Sequence, residues 1–305
     1  MSILQSYRIA ATASLLLIGS AAFAQNISDQ AQAQNAMNSG AVNKNWQPSL
    51  VKDGVYDRLP HTTLALTWQP VREADIMWKK RVWREIDTRE KQNVAFRFAG
   101  DENSGGGFFI EILIDAIQKG KIKAYSNFDD RFTTALTKDQ LIEMITGKTD
   151  TTWAEDPTTN QKVMKVSHRD FNPDAITKFR IKEDWIFDRN LGRMVTRIVG
   201  LAPYKDIYDP ETGNYRASQP MFWLFYPEIR TTLAQYEVFN PENDVARITW
   251  DDFFEGRFFS SRIIKVTNPF DVSFKEGGST NMEALYQGQH TAEEMFNKEH
   301  DMWVY

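Results

Sequence analysis

Cysteine is absent from this 305-residue sequence, and histidine occurs only four times. A chain without cysteine forms no disulfide, no thiolate metal site and no thiol nucleophile. His290 and His300 stand ten positions apart on a predicted helix, which separates them by about 15 Å along its axis. They are therefore too far apart to share one ion, and we predict neither a metal site nor a cofactor.

Motifs for nucleotide binding or nucleophilic catalysis are also missing, since no G-x-S-x-G, G-x-x-x-x-G-K-[ST] or G-x-G-x-x-G in a strand–helix setting occurs. Gly105–Gly107 could bind an anion at a helix N-terminus, but Phe108 and Phe109 follow, which favours a hinge or tight packing. The pairs Asp129-Asp130 and Asp251-Asp252 are interpreted as a polar loop and as acids that offset a helix dipole. We predict no catalytic residue.

An excess of positive charge is lacking as well. The chain has 36 Lys and Arg against 41 Asp and Glu, a formal net charge of −5. A nucleic-acid partner would require a basic face, so none is predicted.

Long apolar runs are confined to the N-terminus. Arg8 precedes an uncharged run from Ile9 to Ala24 that ends in Ala-Phe-Ala, the pattern that signal peptidase accepts. The alternative is a membrane anchor, but the run is shorter than the roughly 20 residues that a spanning helix needs. We predict a signal peptide over 1–24, cleaved between Ala24 and Gln25. A lipoprotein signal would need cysteine, so direct lipid anchoring and membrane insertion are not expected.

The sequence after the predicted signal peptide predicts an α+β fold of antiparallel hairpins with flanking helices. Residues 25–50 are rich in Gln, Asn, Ala and Ser and predict a flexible polar leader, followed by a domain over 51–305. Two segments, 108–127 and 221–240, echo each other weakly. This leaves open a duplication into halves of about 71–150 and 151–305, or two independent but similar turns.

The segment from Val71 to Asn93 predicts a helix, because Ala74, Met77, Trp78, Val82 and Ile86 recur at three-to-four spacing. Two interpretations remain open: a helix docked on the core, or one that also contacts a second protein. Trp and Arg are common interface anchors. The candidate partner-interface positions are Arg72, Glu73, Asp75, Trp78, Arg81, Trp83, Arg84 and Arg89.

Turn and cap signals predict the other elements. A helix follows Gly107 and ends at Gly120, a short strand follows, and Thr137 to Gln140 form a capping box for another helix. Three hairpins are predicted, with turns at 156–160, 188–192 and 209–213. The last helix begins near Asn281 and leads to an aromatic tip, Trp303 and Tyr305, which is expected to dock on the domain or on a neighbour.

The run R-E-A-D-x-M-W-x-K-R-x-W-R-x-I-D-x-R-E-K, here from Arg72 to Lys91, resembles the opening helix of the GldN/PorN family of gliding-motility and type IX secretion proteins of the Bacteroidota. The order of signal peptide, leader, hairpins, D-P-x-T-G turn and Trp-ending C-terminus agrees with that resemblance over the whole mature chain.

The resemblance implies an assembly role in the periplasm. Such proteins partner an outer-membrane lipoprotein of the GldK/PorK type, form a ring with it, and contact the periplasmic part of a GldM/PorM-type motor protein. Self-association and peripheral attachment to the outer membrane through the lipoprotein are expected, with no enzyme activity. A periplasmic glycan- or peptide-binding module, or an enzyme, is the alternative, and a pocket with convergent polar groups would favour it.

Overall fold

The computed structural model describes residues 55, 64–100, 107–146, 150–155, 162–167, 171–209, 212–243, 245–278 and 280–302. Ala24, Gln25, the leader, Gly105, Gly106, Trp303 and Tyr305 lie outside these residues, so the predictions on them stay predictions.

Eleven strands and five α-helices build the described chain. The strands are β1 (Ile76–Asp87), β2 (Ala124–Tyr125), β3 (Asp150–Glu155), β4 (Lys162–Ser167), β5 (Ile176–Asp188), β6 (Arg193–Tyr208), β7 (Tyr215–Pro220), β8 (Trp223–Phe225), β9 (Glu237–Val238), β10 (Ile248–Thr249) and β11 (Arg262–Val266). The helices are α1 (Phe109–Gln118), α2 (Lys138–Thr146), α3 (Tyr226–Leu233), α4 (Trp250–Glu255) and α5 (Asn281–Asp301). Short 3₁₀ turns cover Glu73–Asp75, Lys91–Arg97 and Pro173–Ala175.

A seven-stranded antiparallel sheet organises the fold. Its order is β11-β1-β5-β6-β8-β2, and β7 pairs with the C-terminal end of β6. The pairs β3–β4 and β9–β10 form two separate small sheets. The predicted α+β class with antiparallel hairpins is therefore confirmed.

The predicted helix over 71–93 is wrong, because its central part is the strand β1. Trp78, Val82 and Ile86 are four residues apart, a spacing that places them on one side of a helix and equally on one face of a strand, where the period is two. Both faces of β1 are covered, and Trp83 and Glu85 on the other face are also buried. A strand covered on both sides loses the apolar–polar alternation that identifies strands.

The three predicted hairpins occur, as β3–β4, β5–β6 and β6–β7. Asp188 accepts a hydrogen bond from the backbone N–H of Asn190 at 2.8 Å, and Gly192 has a φ of 61°. This is the turn chemistry that Asp and Gly provide. The first turn, 156–161, lies outside the described residues.

The helices predicted after Gly107, after the cap at Thr137 and from near Asn281 are confirmed, and they cover 109–118, 138–146 and 281–301. Thr137 and Gln140 form the reciprocal cap of α2, and Thr280 and Glu283 form the same arrangement at α5. Gly107 is packed so tightly that a methyl group at this position would overlap the Glu111 carboxylate. Tight packing at this glycine therefore agrees with the interpretation from sequence.

The internal echo has a structural counterpart in element order. Helix, short strand and capped helix follow one another as α1, β2, α2, and again as α3, β9, α4 with the additional short strand β10 before α4. The pairing differs, because β2 joins the large sheet through β8 whereas β9 pairs with β10. The two proposed halves therefore stay a prediction.

Aromatic rings fill the core beneath α1 and α4. Phe96, Phe109 and Phe179 contact one another with centroids 5.3 Å apart, and Trp250 lies 4.2 Å from Phe109. Phe254 joins the same group. Tilted and edge-to-face contacts of this kind add stability beyond the buried area, so much of the 13% aromatic content serves the interior.

Candidate interaction surface

Trp83, a predicted interface anchor, lies inside the fold and is only 7% exposed. Its Nε1 donates to Asp130 Oδ2 at 2.7 Å, and the Lys182 ammonium donates to the carbonyl oxygen of Asp130 at 2.6 Å. Lys265 lies 4.5 Å from the centre of the Trp83 ring. Gly200 permits Phe132 to approach β6, since a side chain there would overlap the Phe132 ring. Trp83 therefore holds the loop before α2 against the sheet.

Arg84 also has internal partners. It approaches the fully buried Glu183 at 3.8 Å, and Arg257 binds the same carboxylate at 2.6 Å. Trp185 Nε1 donates to Glu183 Oε1 at 2.8 Å. Burial lowers the pKa of Arg84, although Glu183 opposes this shift. A charge without partners would be costly at this depth, so Arg84 belongs to the internal network of the fold.

The other predicted interface positions are distributed between interior and surface. Arg81 binds Asp184 through Nε at 2.6 Å and Nη2 at 2.8 Å, which raises the pKa of Arg81. Trp78 packs against the cluster around Val82. Arg72, Glu73 and Arg89 are exposed, and Asp75 is half-buried. The structure does not bring the eight residues together into one surface.

The adjacent carboxylates have different roles. Asp252 forms a reciprocal cap with Thr249 at the start of α4, as expected for an acid near a helix N-terminus. Asp251 turns inward and binds Arg230 with two hydrogen bonds of 2.8 and 2.9 Å. Asp130 lies in a loop and binds Trp83. Among the described residues, no group of three metal-ligating side chains is close enough to hold an ion.

Helix α5 exposes apolar side chains on one of its sides. Its inward side docks on the sheet through Gly288 and Met295, and Met295 packs against Val82 and Val266. A second stripe points to solvent. It consists of Met282 (61% exposed), Leu285 (47%) and Tyr286 (64%) within one turn, and of Phe296 (69%), which follows ten residues, about 15 Å, further along the axis. We call these four residues the α5 stripe.

An open depression of about 330 Å³ adjoins the α5 stripe. It is lined by Phe274, Tyr286, Gln287, His290 and Thr291. His290 Nδ1 is 3.4 Å from Glu294, one turn further along the helix. A depression with aromatic walls beside exposed apolar side chains is suited to receive a side chain of a partner protein.

Acidic residues outnumber basic residues on α5. Glu283, Glu293, Glu294, Glu299 and Asp301 lie on the same helix, against the single basic residue Lys298. An apolar stripe with an acidic rim fits a partner surface of apolar residues with a Lys and Arg rim. None of the described helices is both long and apolar enough to span a membrane.

Comparison with family models matches residues 71–304 to the family described as gliding motility associated protein GldN. The chain belongs to this family. The resemblance inferred from the segment Arg72 to Lys91 is thereby confirmed. A search of curated proteins finds no match.

The GldN match extends from just before β1 to beyond α5, so it includes the sheet, the buried Glu183 network and the α5 stripe. GldN proteins are a family associated with gliding motility and are not known as enzymes. Sequence reasoning missed the α5 stripe, although the signal was present. Met282, Leu285 and Tyr286 recur at helical spacing, Phe296 falls on the same side ten residues later, and Gly288 and Met295 belong to another side.

Proposed function

We propose that this GldN-family chain is a non-enzymatic periplasmic scaffold subunit of the type IX secretion and gliding machinery. In this proposal it forms a ring with an outer-membrane lipoprotein of the GldK/PorK type and contacts the periplasmic part of a GldM/PorM-type motor protein. Family membership and the predicted signal peptide support the proposal. The observation that carries it is the α5 stripe.

In a chain that acts alone, the α5 stripe would expose apolar side chains to water without any compensating contact. Four large apolar side chains on one helix remain in water while the opposite side of the same helix is docked. Several exposed large apolar side chains on one side of an element, with polar residues around them, are characteristic of protein interaction sites. We assign this surface to the lipoprotein contact, whose matching face would be apolar with a basic rim.

The test compares two sets of surface substitutions. Tyr286→Ser with Phe296→Ser is expected to weaken co-purification with a GldK/PorK-type lipoprotein at least tenfold and to abolish the large ring particle. Val245→Ser with Phe270→Ser removes exposed apolar side chains elsewhere and is the matched control, since Val245 is 65% and Phe270 83% exposed. Both pairs should leave the melting temperature nearly unchanged.

Two outcomes would contradict the proposal. If the wild-type chain co-expressed with the lipoprotein remains a free monomer at every salt concentration, the ring is excluded. If the ring forms and the Tyr286→Ser, Phe296→Ser variant assembles as well as the control, then the α5 stripe is not the lipoprotein contact.

The depression beside Tyr286 favours a second candidate, a glycan- or peptide-binding module. Aromatic and polar side chains converge there, as they do in small ligand sites. Calorimetric titration with soluble peptidoglycan fragments tests it. Saturable binding that Tyr286→Ser removes would support the module, and heats no larger than those of dilution would reject it.

A further inference from the structure

An extended segment, residues 64–71, precedes the 3₁₀ turn at Glu73 and is held to the domain by one side chain. We call this segment the arm. The indole of Trp68 stacks on Tyr226 with centroids 6.1 Å apart and planes at 22°. Its Nε1 donates to Glu255 at 2.9 Å. The guanidinium groups of Arg230 and Arg197 lie 4.6 and 5.1 Å from the indole.

These four residues, Tyr226, Glu255, Arg230 and Arg197, form a socket for the indole, and two of them are held by contacts outside the arm. Tyr226 is fully buried at the start of α3. Arg230 is fixed by its two hydrogen bonds to Asp251. An aromatic ring that meets two cations and donates to a carboxylate combines cation–π attraction with a directional hydrogen bond. An indole, which offers both a ring face and an N–H donor, therefore matches the socket.

The rest of the arm has little attachment. Leu64 is 84% and Leu66 75% exposed, and the backbone of 64–71 makes no hydrogen bond to any other residue that the structure describes. Release of the arm would therefore cost mainly the Trp68 contacts. Because one aromatic side chain makes most of the contacts, the arm of one chain can be replaced by the arm of another.

The socket adjoins an open sheet edge. Within the described strands, residues 193–199 of β6 pair with β5 on one side and with no strand on the other. Arg197 of the socket belongs to this stretch. The Met194 N–H of this stretch donates to Glu299 of α5 at 3.4 Å. The arm reads Leu-Ala-Leu-Thr-Trp and is extended. An extended chain seated by its indole near Arg197 therefore lies close to a part of β6 that has no second partner strand among the described strands, a setting in which β-augmentation can occur.

We propose that the socket is an interaction site for an extended, Trp-bearing segment, and that within the assembly it receives the arm of a neighbouring copy of this chain. The proposal rests on the self-association proposed above. Exchange replaces each contact by an identical one, as in domain swapping. In the free chain the short tether gives the chain's own arm an effective concentration of about millimolar. In a ring the neighbour's arm is also tethered nearby, so exchange can compete and join adjacent copies.

The experiment asks which chain supplies the arm. Gln69, exposed and next to Trp68, is replaced by the photocross-linker benzoylphenylalanine. Equal amounts of light and isotopically heavy chains are mixed as monomers, co-assembled with the lipoprotein, irradiated and digested. Peptides that join the arm to 226–255 are then sorted by mass.

The free chain is expected to give same-isotope cross-links alone. The assembled ring is expected to give mixed-isotope cross-links as numerous as same-isotope ones. Trp68→Ala should remove the cross-links to 226–255 in both states. Leu66→Ser, which alters an exposed residue of the same arm, should leave them unchanged.

Three results would overturn the exchange. If the ring forms and gives same-isotope cross-links alone, each arm stays on its own chain. If the ring forms and the arm cross-links to the lipoprotein, that protein is the occupant. If no ring forms, exchange is rejected together with the proposed scaffold function, and particle size distinguishes this result from the other two.

Discussion

Buried polar side chains at single positions affect the stability of this fold, and for Glu111 the effect depends on pH. It is 4% exposed, and its carboxylate accepts the Phe108 N–H at 2.7 Å. Burial raises the pKa of Glu111 to about 7, Asp174 adds to the increase, and the hydrogen bond from Phe108 opposes it. The folded chain therefore binds this proton more tightly than the unfolded chain does.

This shift predicts how stability changes with pH. Because the folded pKa exceeds the unfolded value, the Glu111 contribution is most favourable below about pH 4.3 and is progressively lost up to about pH 7. Glu111→Gln cannot ionise and keeps an acceptor for Phe108. It should be more stable than wild type at pH 8 by on the order of 2 kcal/mol, with a smaller difference at pH 5. Urea unfolding at both values measures this.

The exposed Glu143 of α2 provides the control for that prediction. Glu143→Gln makes the same chemical change at an exposed position and is measured at both pH values. If Glu111→Gln behaves in the same way as this control, Glu111 is not protonated in the folded chain at neutral pH.

The sequence predicts Trp83 as an interface residue, whereas its burial in the structure predicts that it stabilises the fold. Trp83→Ala should lower the free energy of unfolding by about 3–5 kcal/mol. Trp83→Phe keeps the ring under Lys265 but removes the donor to Asp130, and should cost about 1–3 kcal/mol. Denaturant unfolding measures the stability of each variant, and a pull-down with the lipoprotein measures its binding separately. A Trp83→Ala chain that melts like wild type but fails to bind the lipoprotein would restore the interface interpretation.

Among the elements, α5 shows how a glycine can set the position of a whole helix. Gly288 faces β11 so closely that a methyl group would overlap the Ile263 carbonyl oxygen. In an exposed helix Gly→Ala stabilises by about 1 kcal/mol. Here we expect the opposite sign, with Gly288→Ala destabilising by about 1–3 kcal/mol because the helix must move away from the sheet.

Thermal and urea unfolding test this prediction against an adjacent substitution in the same helix. Gln289 is exposed, so Gln289→Ala should change stability by no more than about 0.5 kcal/mol. Stabilisation by Gly288→Ala would show that α5 does not approach β11 as closely as described.

At the scale of the whole molecule, the acidic rim of α5 and the formal net charge of −5 act together. A basic partner surface would be attracted electrostatically. Salt weakens this attraction, because the Debye length is only about 10 Å at 0.1 M ionic strength. The association rate with the lipoprotein should therefore fall by about tenfold or more between 0.05 and 0.5 M salt. Stopped-flow mixing measures this rate.

The dissociation rate provides the contrast, because it depends on the apolar α5 stripe and should change little with salt. Glu293→Gln with Glu294→Gln should flatten the salt dependence of association. An association rate that is the same at low and high salt would exclude this electrostatic contribution.

The sequence alone determined the elements whose signals are local. Thr137 and Thr280 mark helix starts through caps that involve only the next three residues, and Asp188 and Gly192 define a turn within five. The α+β class followed from such signals, and the distinctive segment from Arg72 to Lys91 identified the family.

Only the tertiary structure decided what that same segment becomes. Spacing by four suits a helix and a strand equally, and β1 is a strand because β5 and β11 pair with it on both sides, far away in the chain. The burial of Trp83 depends likewise on Asp130 and Lys182, and the exposure of the α5 stripe depends on which side of α5 meets the sheet. These properties arise from contacts between distant residues, which local patterns do not contain.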